Sequence, residues 1–238
     1  MKRINLIIAF LIIAVVAQAQ KIYDANATVR SIGDFKAISI SNAFSVYISQ
    51  GSENALVVSA DDKDDIKNII TEIDNGVLKI KYEDKKSWRG DKKLKAYISF
   101  KELNKIVMKG ATDLYVTTPI NLPSLHVDAS GASNFKTLTG VLNIDEMVLK
   151  CDGASDIRLK GKVDKLVIDA SGASDITSYS LVANNCTIKA SGASDIKLTI
   201  NGELNVNASG ASDVRYKGSA TVTDVKSTGA SSVKKVND

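Results

Sequence analysis

The chain has 238 residues, of which 44% are hydrophobic and 24% charged, with a formal net charge of +4. A globular chain of this size can bury roughly 70% of its unfolded surface without disulfides or metal, and the composition excludes both a mostly disordered chain and a polytopic membrane protein. With one histidine and two cysteines in the whole sequence, no catalytic site, metal site or cofactor is expected.

In chain order, Lys2 and Arg3 precede an apolar run from Leu6 to Ala17 that closes on Ala17-Gln18-Ala19. Residues 1–19 therefore read as a secretory signal peptide cut before Gln20, with an uncleaved anchor as the alternative. No cysteine stands at the cleavage point, so a lipid anchor is not expected. The expected location is the periplasm, the outer-membrane surface or the medium, with no integral span once the signal is removed. The rest holds 29 basic and 27 acidic residues, a charge of about +2, too small for a nucleic-acid-binding surface.

Residues 20–109 read as a β-rich flanking or capping subdomain over the open end of a repetitive region that begins at Gly110. Phe35 to Ile40 and Ser45 to Ile48 alternate as strands around Ser41-Asn42-Ala43-Phe44. Asp61 to Ile73 carries early acids and Ile66, Ile69, Ile70 and Ile73 at helical spacing, which predicts a helix. Asn75-Gly76 then introduces the strand Val77 to Tyr82. Lys85, Lys86, Arg89, Lys92, Lys93 and Lys95 form a basic cluster around Trp88, read mainly as a solvated surface, with contact to an anionic polymer or lipid as the alternative.

From Gly110 to the C-terminus the same short motif recurs. Gly-Ala-Ser-Asp begins at Gly153, Gly172, Gly192 and Gly210, with variants at Gly110, Gly131 and Gly229, spaced 21, 22, 19, 20, 18 and 19 residues apart. A period of about 20 lies in the solenoid range and is too short for helical repeats. Before the glycine, apolar residues alternate strictly: Leu149, Ile168, Ile188 and Val206 four before, and Cys151, Ala170, Ala190 and Ala208 two before. Each unit is strand, tight turn, strand and a second, variable turn. Two architectures fit, an antiparallel meander and a right-handed parallel β-helix spanning residues 110–238. The coil is preferred, because stacking at about 4.8 Å gives the whole tetrapeptide a reason to recur.

A structural role accounts for the tetrapeptide: glycine for positive φ, alanine small enough to point inward, serine and aspartate bonding nearby backbone N–H groups. Backbone amides are the expected compensation for the stacked carboxylates, which repel by roughly 1 kcal/mol per neighbouring pair at water's dielectric. The functional alternative makes Asp156, Asp175, Asp195 and Asp213, in line with Asp113 and Asn134, a ligand-binding row, either oxygen ligands for calcium or a carbohydrate-binding edge, and gives Trp88 a sugar-stacking role.

The run Ile38 to Gly51, the element Ile66 to Ile80 and the serial Ser-Gly-Ala-Ser-Asp units resemble the bacterial secreted family described as putative auto-transporter adhesin, head GIN domain. The resemblance runs from about Phe35 to the C-terminus and implies an exported β-helical protein with an adhesive or structural envelope role, with no catalytic residues to carry over. The partner it points to is a glycan or an envelope or surface protein, and self-association into a homo-oligomer stays open. Alternatives are an envelope scaffold and a carbohydrate-active β-helix enzyme built on pairs such as Arg158 with Asp156 or Arg215 with Asp213. A row of equivalent acids does not give the two unlike carboxylates a glycosidase needs. His126, next to an inward Val127, is expected to face outward. Cys151 and Cys186 fall at different levels of coils two apart, about 9.6 Å along the axis, and are expected to be buried free thiols.

Overall fold

The computed structural model describes residues 24, 26–83 and 92–237. The signal segment and Trp88, with Lys85, Lys86 and Arg89, lie outside them. Among the described residues β1 (Thr28–Arg30), β2 (Ala37–Ile40), β3 (Phe44–Gln50) and β4 (Ala55–Ala60) lead to the hairpin β5 (Ile69–Asp74) and β6 (Val77–Tyr82) and then β7 (Leu94–Phe100). Strand pairs come next: β8 (Lys105–Met108) and β9 (Asp113–Val116), β10 (Ile120–Ala129) and β11 (Asn134–Thr137), β12 (Leu142–Cys151) and β13 (Asp156–Arg158). The chain ends with β14 (Gly161–Ala170), the long β15 (Asp175–Ala190), β16 (Asp195–Ile200), β17 (Glu203–Ala208), β18 (Asp213–Lys217), β19 (Thr221–Ser227) and β20 (Ser232–Lys235).

Successive repeats pair in parallel and in register. Ile168 lies opposite Leu149 on one side and Ile188 on the other, so the repeats are coils of a parallel β-helix and not hairpins of a meander. Before the turn the stack runs β8, β10, β12, β14, β15, β17, β19. After the turn it runs β9, β11, β13, β15, β16, β18, β20. The parallel stack also continues on the N-terminal side of residue 110. β2 and β3 pair with β8 and β9, and on their other side with β6 and β7, so the order of coils in space differs from their order in the chain. Asn42, with φ of 77°, occupies the glycine position of a degenerate unit, and its carbonyl accepts the Thr112 hydroxyl. Beyond β6 and β7 the pairing changes direction: β5 is antiparallel to β6, β4 to β7, and β1 to β4.

The helix expected over Asp61 to Ile73 is not there. A single 3-10 turn, Asp65–Asn68, is followed by β5. Asn75 and Gly76 both take positive φ, 49° and 75°, the two-residue turn that matches the twist of paired strands, and it folds Ile69–Asp74 back along β6. Pairing there satisfies the backbone of β6, which a helix would leave open, and the apolar spacing that mimicked a helix serves the strand.

The tetrapeptide turn also differs in detail from the expected one. The inward phase is recovered on the far side of the turn: the serine two past the glycine is buried and the alanine one past it is exposed in all four Gly-Ala-Ser-Asp copies, while the glycine itself is exposed or, at Gly153, half-buried. The serine donates to the carbonyl three residues back, Ser174 to Ser171 at 2.8 Å and Ser194 to Ser191 at 2.9 Å, instead of accepting from an N–H. An inward hydroxyl must find an acceptor, and the turn supplies one within its own residues. Ala173 donates its amide to Gly153 and Ala193 to Gly172, at 2.7 and 2.8 Å, so the corner itself is a hydrogen-bonded ladder.

At Gly172 and Gly192 the reason for glycine is quantitative. Each has φ of 72°, and a Cβ at either would lie 2.5 Å from the carbonyl oxygen of the preceding glycine. One contiguous apolar core runs from Phe35 to Tyr216 along the axis. Cys151 and Cys186 are free and buried within it, and burial pushes both thiols up to about 12. Replacement Gly172→Ala should lower unfolding stability by at least about 2 kcal/mol in urea titrations, while Ala173→Ser should stay within about 0.5 kcal/mol. In the native protein both cysteines should resist a disulfide-exchange thiol reagent at pH 8 and react fully in denaturant.

Candidate ligand-binding face

Because the coils are in register, one residue of the repeat becomes one column on the surface. The outward position three past the glycine holds Asp113, Asn134, Asp156, Asp175, Asp195, Asp213 and Ser232 in adjacent coils. The four acids singled out from the sequence are therefore brought together in one file. Two residues further on, outward again, a second file holds Lys136, Arg158, Thr177, Lys197, Arg215 and Lys234. The two files interlock. Lys136 and Arg158 reach Asp156 at 3.2 and 3.1 Å, Lys197 reaches Asp195 at 2.6 Å, and Arg215 bridges Asp195 at 3.0 Å and Asp213 at 2.7 Å. Cations, not backbone amides, thus offset the repulsion among the acids; an outward side chain three past the glycine projects away from the amides of its own turn, which are spent on the coil below.

The cation file breaks at Thr177. Its hydroxyl donates to Asp175 at 2.7 Å, and no ion pair to Asp175 occurs among the described residues. Asp175, between Arg158 and Lys197, is accordingly held by a neutral partner, as is Asp113, whose carboxylate accepts from the Asn134 amide at 2.6 Å. One coil away, the Asp156 Oδ1 atom is buried and accepts no hydrogen bond among the described residues. At the other end of the file the Ser232 hydroxyl, ahead of Arg215, Lys234 and Lys197, holds the Asp213 carboxyl below the usual carboxylate range.

Toward the antiparallel end the cation file gives way to tyrosines. Tyr115 stands over Lys136, Tyr47 over Tyr115 and Tyr97 over Tyr47, with ring centroids 5.2 and 5.1 Å apart along the stack. Tyr97 donates to Asp24 at 2.6 Å, and Lys95 pairs with the same carboxylate at 2.7 Å. Burial, followed by the Asp24 hydrogen bond, raises the Tyr97 hydroxyl well above the ordinary phenol range. The sequence offered no warning of this stack, because its three members come from coils that are out of chain order.

Trp88 lies outside the described residues. Of the basic cluster, Lys92 pairs with Asp65, Lys93 with Asp61 at 3.5 Å and Lys95 with Asp24. His126 faces outward and bonds Asp128 at 2.7 Å. Burial raises the Asp128 carboxyl, but hydrogen bonds from His126 and Lys105 outweigh it and leave the group below its ordinary value. A cavity of about 580 Å³ lies between Phe35, Lys36, Asn54, Asn75 and Glu102, with its charges paired internally, Lys36 with Glu102 and Lys101 with Asp34. No cluster among the described residues could hold a metal ion, and no helix among them is long and apolar enough to cross a membrane.

The sequence profile of the family described as putative auto-transporter adhesin, head GIN domain, matches residues 34–220. The chain belongs to that family. Solved structures with the same fold include a putative adhesin of Bacteroides fragilis, 21% identical with a TM-score of 0.82, covering 88% of this chain and 96% of its own. A putative adhesin of Parabacteroides distasonis is 18% identical with a TM-score of 0.69, covering 88% and 96%. A putative lipid binding protein of the same organism is 20% identical with a TM-score of 0.65, covering 89% and 97%. No curated protein matches the chain.

Asp65, Asp128 and Asp213 all have carboxyls depressed in the folded state. A depressed carboxylate contributes stability above its unfolded pKa, about 3.9, that disappears as pH falls through the lower folded value. Unfolding free energy should therefore be flat from pH 7 to about 5 and decline below about pH 4, and Asp65→Asn should flatten that decline in denaturation curves taken across the range.

Proposed function

We propose that this family member is an exported, adhesin-like binding module of the bacterial cell envelope whose contact surface is the outward face of the paired acid and cation files. The observation that carries the reading is the break at Thr177. It leaves Asp175 without a cation in the middle of the file, where Asp156, Asp195 and Asp213 each have at least one; Asp113, the other acid with a neutral partner, lies at the file's end and is bonded by the Asn134 amide. A carboxylate bonded by a single hydroxyl retains free lone pairs for an incoming donor, and flanking arginine and lysine side chains supply donors of their own. A ligand rich in hydroxyl groups and built of repeating units, such as a glycan of the envelope or of a host surface, can engage such a periodic face over several coils at once.

In this reading the antiparallel strands β1, β4 and β5 cap one end of the solenoid, and the repeats are the presenting surface. Family membership supports the adhesive role and the exported location, and the signal-like residues 1–19 agree with both. Asp156, Asp195 and Asp213 have similar side-chain exposure, 26%, 36% and 38%, and each is ion-paired, so none resembles the protonated acid of a glycosidase pair, which favours binding over acid–base chemistry.

Glycan-array binding by the exported protein tests the proposal. Saturable binding that falls at least tenfold in the double variant Asp175→Ala/Asp195→Ala, with an unchanged circular dichroism spectrum, is the expected result. Binding unaffected by that change would reduce the file to a structural ladder, and glycan turnover would favour an enzyme.

A further inference from the structure

The two ends of the solenoid differ. At one end β5, β4 and β1 cover the first coil. At the other, β19 and β20 end the stack, β19 is exposed along its whole length, and Val222 and Val225 are 43% and 42% exposed where equivalent residues one coil earlier, Leu204 and Val206, are buried. This last coil also lies beyond residue 220, where the family match ends.

We infer that the β19 edge is a two-fold interface at which a second copy of this chain pairs antiparallel, centred on Val225. Its side-chain order is self-complementary. Antiparallel pairing about Val225 sets Asp224 opposite the other copy's Lys226 and Lys226 opposite its Asp224, and brings the two Val225 side chains together over the open core. These are cross-strand contacts of opposite charge and of β-branched side chains, both favourable in antiparallel ladders. Within one chain Asp224 and Lys226 already lie on the same outward side, 3.6 Å apart.

The backbone agrees. Thr228 donates its amide to the Ala208 carbonyl, so it faces β17. Alternate residues of a strand in a parallel pair turn their polar groups to opposite sides, which leaves those of Val225 and Ser227 directed at the open edge. Val225 can then exchange both hydrogen bonds with its symmetry mate. β20 does not fit the same role, because Lys234 and Lys235 stand side by side on it with no acid between, and like charges facing each other discourage edge pairing. A two-fold contact of this kind closes on itself and yields a dimer with both solenoids end to end, not a filament.

This inference is independent of the ligand face and is tested by analytical ultracentrifugation of the exported protein over a range of concentrations. A reversible monomer–dimer equilibrium is expected. Lys226→Asp and Asp224→Lys should each weaken it on the order of tenfold, since each places two like-charge pairs across the axis. The swap Asp224→Lys/Lys226→Asp should restore it, and Val225→Pro should leave monomer with an unchanged circular dichroism spectrum. A wild-type protein monomeric at all concentrations, open-ended association, single reversals without effect, or a double swap as weak as the singles would each overturn the assignment.

Discussion

The close approach of one corner glycine to the next sets the geometry of the whole molecule. A carbonyl oxygen lies where a side chain would begin, so the coils can stack this closely only if each presents a bare backbone at the same place. Once the corner is pinned, the alanine amide and the aspartate amide of each turn bond the coil below, and every other position of the repeat is forced into a column with its equivalents. Inward columns make a core that is uniform along the axis, and outward columns make files of like residues.

Files of like residues carry an electrostatic cost that an ordinary sheet avoids. Here it is offset by placing the compensating charge two residues along the same strand, on the same side, where a lysine or arginine can reach both its own aspartate and that of the next coil. Arg215 does this for Asp195 and Asp213. Where the file carries Thr177 in place of a cation, its hydroxyl takes over the bond to Asp175.

A solenoid transmits structure only between neighbouring coils, so its ends need separate solutions. One end of this chain solves the problem by doubling back: β2 and β3 are laid down before β6 and β7, which then take the outer position and meet antiparallel strands. The other end leaves valines of the last coil in contact with solvent and a strand paired on one edge only, whose charges are ordered symmetrically about one residue.

The amino-acid sequence alone establishes the period and which residues form the inward apolar columns, because Leu149, Ile168 and Ile188 repeat at a fixed distance from a recurring turn; between parallel coils and an antiparallel meander it gives a preference, and the in-register pairing of those residues decides it. The same alternation, carried through the glycine, already places Ser174 inside and Ala173 outside; assigning alanine to the interior let residue character override position. The residues from Asp61 to Ile73 were misleading for a different reason, since isoleucines spaced three and four apart satisfy a helix and, read in pairs, a strand, and only the open edge of β6 decides between them. The file of acids was visible from spacing alone. So were the pairs within a coil, Arg158 with Asp156 and Arg215 with Asp213. The ion pairs between coils, the tyrosine stack and the exposed last coil were not, because each depends on which coil lies above which, and near the start of the chain that order is set by long-range strand pairing and not by position along the sequence.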